Sequence, residues 1–195
     1  MTTPDVSWPH RTERLVLRQV REDDIDRMLE FRNKPEVYRW LLRTEVEAEA
    51  FRAAWMRTLT DPLDYSVVVE LDGSVIGTAS LDVRDALGQG TGEPVTRAEA
   101  EIGYILDPAY AGRGFATEIA RALLGICFEE LGLHRVTAGC YADNTASWRV
   151  LEKVGMRREQ HSVKDSWHAE LGWLDGYTYA ILSEEWLSRG GAPAR

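Results

Sequence analysis

The stretch "AEIGYILDPAYAGRGFATEIARALL", residues 100–124, decides how the chain is read. It opens on an apolar strand-like run that Asp107-Pro108 stops, because proline has no N–H to give a sheet. It closes on "ATEIARALL", where Ile119 and Leu123, continued by Ile126 and Cys127, repeat at helical spacing. Between the two, Gly112 and Gly114 flank Arg113. Glycine adopts positive φ without steric cost, so the N–H groups of residues 111–116 can turn into one hollow. The helix start that follows adds partial positive charge there, which favours an anion. Such a turn cradles a phosphate or is a plain connector, and its own residues leave both open.

Three phosphate patterns can be compared with it. The P-loop string GxxxxGK followed by Ser or Thr is absent from the chain. The dinucleotide fingerprint needs a third glycine, where Thr117 stands, and an acid closing the second strand, where Gly139-Cys140-Tyr141 stand. The pyrophosphate loop of acetyl-CoA-dependent acyltransferases reads Gln/Arg-x-x-Gly-x-Gly/Ala. Residues 111–116 supply Gly114 and Ala116 but place Ala111 first, which removes a side-chain contact and leaves a backbone cradle.

Working outward, "RLVLRQV" (14–20) reads as a strand, and "DDIDRMLEFRN" (23–33) and "VEAEAFRAAWMRTL" (46–59) as helices. "YSVVVELDGSVIGTASLDV" (65–83) is a hairpin about Asp72-Gly73. Residues 84–98, with three glycines and a proline, read as a long loop. "HRVTAGCY" (134–141) is a strand, and "NTASWRVLEKVG" (144–155) is a helix with Asn144 as N-cap and Gly155 just past its end. From Met156 to about Ser183 the pattern is strand-like, with a break expected near Asp175-Gly176. The order β α α β β β α β α β β predicts one α/β domain: a mixed central sheet of about six to seven strands, antiparallel at the start, with helices on both faces. The ordered core is expected over about residues 11–187, with frayed ends.

Composition sets outer limits. The 195 residues carry a formal net charge of −9, with 44% hydrophobic and 28% charged residues. That argues for a globular chain and against a basic nucleic-acid surface. Cys127 and Cys140 lack the spacing of a zinc site, so no metal is expected. The N-terminus shows no apolar signal region and no run approaches a membrane span, so a cytoplasmic protein without membrane attachment is expected.

These motifs together resemble the GNAT superfamily of N-acetyltransferases, and most nearly its branch of ribosomal-protein N-terminal acetyltransferases, the RimJ/RimL type. The resemblance runs over about residues 11–187 and is carried by "TERLVLRQVREDD", "AEIGYILDPAYAGRGFATEIARALL", "NTASWRVLEKVGM" and "GYTYAILSEEW". It implies acetyl-CoA as co-substrate and a primary amine as acceptor, with direct attack on the thioester assisted by a general base. Its positions map onto Leu106, whose backbone would bond the pantetheine arm, and onto Ala111, Gly112, Arg113, Gly114, Phe115 and Ala116 for the pyrophosphate. Glu101 matches the family's glutamate and is the candidate base, with Glu99 on the same strand face as the fallback. Asn144 and Ser147 occupy an Asn-x-x-Ser position: Asn144 as a cap that can also touch the cofactor, Ser147 with its hydroxyl toward the cofactor sulfur. Lys153 is read equally as a contact to the adenosine phosphates or as a solvated helix lysine. Leu151 departs from the family, many members of which place an acidic tyrosine there.

The acceptor is read as a protein or peptide N-terminal α-amine, against a small amine such as an amino acid, polyamine or aminoglycoside. A non-catalytic acyl-CoA-binding module is the reading from another class, to which Ala111 and Leu151 give weight. Trp40, Trp55, Trp167, His168, Trp173, Tyr177 and Tyr179 are candidates either for an aromatic wall that receives a cation or for ordinary packing. Residues 84–98 are a candidate lid. The resemblance also allows a homodimer through the last strands.

Overall fold

A computed structural model describes residues 6–89 and 95–190. The fold is mixed α/β. Its strands are β1 (His10–Arg11), β2 (Val16–Arg18), β3 (Val67–Leu71), β4 (Ser74–Arg84), β5 (Glu99–Leu106), β6 (Arg135–Tyr141), β7 (Arg157–His168) and β8 (Gly172–Leu182). Its helices are α1 (Ile25–Arg32), α2 (Pro35–Tyr38), α3 (Ala48–Thr58), α4 (Phe115–Gly125), α5 (Thr145–Lys153) and α6 (Ser183–Ser188). The strands form an eight-stranded sheet in the order β1-β2-β3-β4-β5-β6-β8-β7. This exceeds the expected six to seven by the two-residue β1, whose His10 and Arg11 pair with Leu17 and Val16. So short a strand carries no periodicity to read. β5 and β6 run parallel, while β1–β2, β2–β3, β3–β4, β6–β8 and β7–β8 pair antiparallel.

The described residues fall into two compact units. The first comprises residues 7–82 and 103–119. In it Asp72 (φ 48°) and Gly73 (φ 82°) both sit in the left-handed region that a tight hairpin requires, closing β3 on β4. Val20, Ile25, Met28, Phe31, Val68 and Val75 form its core, with Phe51 and Trp55 of α3 packed against them. β4 grips the end of β5 closely: a Cβ on Gly77 would lie 2.4 Å from the Ile105 carbonyl oxygen, and the Asp107 amide donates to Ile76 O at 2.8 Å. Only glycine fits such an approach.

The second unit comprises Val6 and the described parts of residues 83–102 and 120–190. β5 contributes Glu99–Glu101, paired in parallel with Arg135–Thr137 of β6. α4 passes into a π-helical turn over Ile126–Glu130, and Gly132 (φ 66°) ends it. Within the long connection at 84–98 the ends are held together: Ala86 N–H donates to Val95 O at 2.8 Å, and Arg97 N–H to Asp85 at 2.7 Å. Residues 90–94, the middle of the candidate lid, lie outside the described residues.

The break expected near Asp175-Gly176 falls elsewhere. Both residues lie within β8, and β7 turns into β8 over residues 169–171. His168 makes that turn: its ring Nδ1 accepts the amides of Glu170 and Leu171, each at 3.2 Å, and Gly172 takes φ 76°. Asp175 instead braces an irregularity in β7, where Lys164 has φ 51°, by accepting the Lys164 amide at 3.0 Å and bonding His161 Nε2 at 2.7 Å. A turn-forming dipeptide here serves a bulge in the opposite strand. The strand-like pattern expected to about Ser183 gives way at that residue to α6.

Candidate functional site

In the first unit, β5 ends at Leu106, which is half-buried. Asp107 follows it and is buried, and its side chain accepts the Ala109 amide at 3.2 Å to start a short 3-10 turn over Pro108–Tyr110. Two cations clamp its carboxylate: Arg27, and Lys34 at 3.0 Å. Burial pushes this carboxyl up, but the bonds from Lys34, Arg27 and the Ala109 amide outweigh it and hold it below the usual range. The chain then leaves the turn through Ala111, Gly112, Arg113 and Gly114, all exposed, and enters α4 at the buried Phe115 and half-buried Ala116.

Gly112 and Gly114 take φ values of 74° and 84°. Among the described residues, none accepts a hydrogen bond from the amides of residues 112–117. Six amide donors are thus left open at and before the start of an 11-residue helix, where an anion such as a diphosphate is favoured. Arg113 lies back on aromatic rings, 4.9 Å from the centroid of Phe115 and 5.7 Å from that of Tyr110. Thr12, Arg14 and Glu118 border the turn and were not among the expected site residues. Arg14 bonds Glu118 and donates to the Arg113 carbonyl at 3.0 Å. The sequence separation of about a hundred residues hides this group, although all three belong to the quoted motifs.

In the second unit, Glu101 is exposed on β5 and paired with Arg84 at 3.2 Å. Arg84 also donates to Thr137 Oγ1 at 3.2 Å, and a Cβ on Gly139 would lie 3.8 Å from Glu101 Oε1. Glu101, Thr137 and Gly139 therefore share one face of the sheet. Glu99, two residues earlier on that face, is 3.7 Å from Arg135. Cys140, next in the chain after Gly139, points to the other face, and the Ser147 side chain neighbours its thiol there. Burial pushes the Cys140 thiol up, and the nearby Ser147 hydroxyl opposes the shift. The two candidate catalytic side chains, Glu101 and Ser147, thus belong to opposite faces.

Asn144 caps α5, its Oδ1 accepting the Ser147 amide at 3.2 Å. Lys153 is exposed in the last turn of α5, about 13 Å along the axis from that cap, so the structure does not bring it to Asn144 and Ser147. Leu151, at the family's tyrosine position, is 1% exposed and fills the core. Tyr179 donates to Glu152 at 3.0 Å, and burial together with that bond pushes its phenol up to about 12.

The aromatic candidates divide. Trp55 packs in the core of the first unit, and Trp40 lies 5.2 Å from the Arg39 guanidinium. His168 and Tyr179 are buried, and Tyr177 meets the His161 ring edge-on at 5.0 Å. Trp167 and Trp173 pair edge to face at 5.4 Å and stay 60% and 56% exposed. No helix among the described residues is long and apolar enough to cross a membrane.

Comparison with known proteins agrees with this architecture. An acetyltransferase from Bacillus anthracis, of the GNAT family, is 32% identical and superposes with a TM-score of 0.75 over 90% of this chain and 98% of its own. The fold is shared with RimL, a ribosomal L7/L12 α-N-protein acetyltransferase solved with coenzyme A (19% identity, TM-score 0.75, covering 89% of this chain and 97% of RimL). It is shared equally with the spermidine N-acetyltransferase of Vibrio cholerae, solved with coenzyme A and spermine (20% identity, TM-score 0.77, 90% and 99%). The model of the acetyltransferase (GNAT) domain matches residues 14–157. With its glycine turn, its strand order and this match over most of its length, the chain belongs to the GNAT acetyltransferases.

Proposed function

We propose that the chain moves the acetyl group of acetyl-CoA to a protein or peptide N-terminal α-amine. The observation that carries the cofactor half of this reading is the turn at residues 111–116: two glycines at positive φ, exposed, with the neighbouring amides left without acceptors among the described residues. Such a cradle grips a diphosphate by backbone alone, so Ala111 in place of Gln or Arg costs one side-chain contact and leaves the site intact. The Leu106 backbone serves the pantetheine amides, Asn144 borders the cofactor, and Lys153, exposed at the far end of α5, serves the adenosine phosphates.

In this reading Glu101 is the base. Its partner Arg84 is a half-exposed cation, and an arriving ammonium group replaces it beside the carboxylate, one cation for another. Glu101 first takes one proton from the ammonium, which frees the nitrogen lone pair; nitrogen then bonds to the acetyl carbon, the carbon–sulfur bond breaks, and nitrogen's second proton passes to the departing thiolate. Ser147 meets the leaving sulfur with its hydroxyl, which can donate to it. A thiol of pKa ~8.5 departs with little acid help, which fits a leucine at position 151. The formal net charge of −9 supports a basic polypeptide as acceptor.

The test is thiol release from acetyl-CoA over a panel of peptide N-termini, amino acids, spermidine and aminoglycosides, alongside calorimetric binding of coenzyme A. Peptides are expected to give the highest kcat/KM. Turnover confined to a small amine would overturn the acceptor assignment. Coenzyme A binding without any turnover would make the chain a binding module.

A further inference from the structure

We infer that Thr12, Arg14 and Glu118 form a positioning clamp that aims the Gly114 N–H at the pyrophosphate of coenzyme A; this rests on the reading of the turn given above. Glu118 lies in the first turn of α4, with a side chain 13% exposed. It accepts from the Thr12 hydroxyl at 2.6 Å, the Arg14 amide at 2.8 Å and Arg14 Nε at 2.7 Å. Arg14 Nη2 is also 2.7 Å from its Oε2. A lone carboxylate at this helix start would compete with an incoming anion for the same positive field. Arg14 removes that conflict by neutralising it.

Arg14 does a second thing. Its Nη1 donates to the Arg113 carbonyl at 3.0 Å, and its guanidinium stacks over Phe115, 4.4 Å from the ring centroid. The peptide between Arg113 and Gly114 is planar and trans, so a carbonyl held on one side puts the Gly114 N–H on the other. A Cβ on Gly114 would lie 3.4 Å from Arg14 Nη2, so Arg14 closes its own side of the turn. The free amide therefore faces away from the clamp. A flexible glycine pair would otherwise sample many orientations, and fixing one peptide in advance lowers the ordering cost of binding.

The experiment uses the full chain and two acetyl donors: acetyl-CoA, and acetyl-pantetheine, which has no pyrophosphate. Arg14→Gln is expected to weaken coenzyme A binding at least ~10-fold, the loss of one well-aimed hydrogen bond to a charged group plus an unpaired Glu118. Its kcat/KM with acetyl-pantetheine should stay within twofold of wild type. Arg14→Lys, which retains a cation for Glu118 but cannot also reach the Arg113 carbonyl, guards against misfolding and should show the same donor split. The double variant Arg14→Gln, Glu118→Gln restores neutrality without orientation and should remain weak. Full recovery in the double variant would overturn the aiming role, and equal losses with both donors would reduce the clamp to a fold contact. Wild type that fails to bind coenzyme A overturns the reading of the turn itself, whereas wild type that binds while Arg14→Gln binds equally well overturns the clamp alone.

Discussion

Replacing Asp107 should loosen the entry to the glycine turn by an amount the structure sets. Its side chain is 2% exposed and holds Arg27, Lys34 and the Ala109 amide. Removing a buried partner of an ion pair costs about 3–5 kcal/mol when the opposite charge is left buried. Here Arg27 and Lys34 are 31% and 37% exposed and regain water, which discounts their share. The lost cap adds about 1 kcal/mol. Asp107→Ala should therefore cost about 2–4 kcal/mol, and Asp107→Asn, which keeps a capping oxygen, about half as much. The assay is urea unfolding followed by tryptophan fluorescence, run at several pH values. The folded carboxyl is held below its unfolded value, so the contribution is complete above about pH 4 and drains away as pH falls through the folded value. Wild type and Asp107→Asn should thus converge in acid. A cost below about 0.5 kcal/mol at pH 7, or curves that stay parallel down to acid, would refute the argument.

Other expectations concern the turn and the two faces of the sheet. Gly114→Val forces a branched side chain to a φ of 84° beside Arg14 and should abolish coenzyme A binding by calorimetry, whereas Ala111→Gln should change affinity no more than about threefold. Glu101→Gln should lower kcat by about 10²–10⁴ in the thiol-release assay with little change in coenzyme A affinity; an unchanged kcat would remove Glu101 as the base. Burial pushes the Cys127 thiol up to about 12 and raises that of Cys140, so both should resist iodoacetamide at pH 8 in the native protein and react in urea, as peptide mass mapping will read.

What the sequence disclosed follows from the range of the interactions involved. The Asp72-Gly73 hairpin, the end of β5 at Asp107-Pro108 and the Asn144 cap are each decided within a few residues, and each stands where local chemistry puts it. Asp175-Gly176 misled because its role is set by Lys164 across a strand pair, and the real turn depends on a histidine ring accepting two amides. The clamp on the glycine turn stayed hidden for a similar reason. Thr12 and Arg14 look like ordinary polar residues flanking a strand until folding brings Glu118 to them. Glu101 was legible as a charge in an apolar strand, but its pairing with Arg84 was not, since Arg84 comes from another strand.

The division of Glu101 and Ser147 between opposite faces of the sheet has a kinetic consequence. In the proposed mechanism the acceptor approaches the carboxylate from one face and the thiol departs past the hydroxyl on the other. That mechanism has both substrates bound at once. Initial-rate plots should intersect, and an acceptor lacking its amine should inhibit without competing against acetyl-CoA.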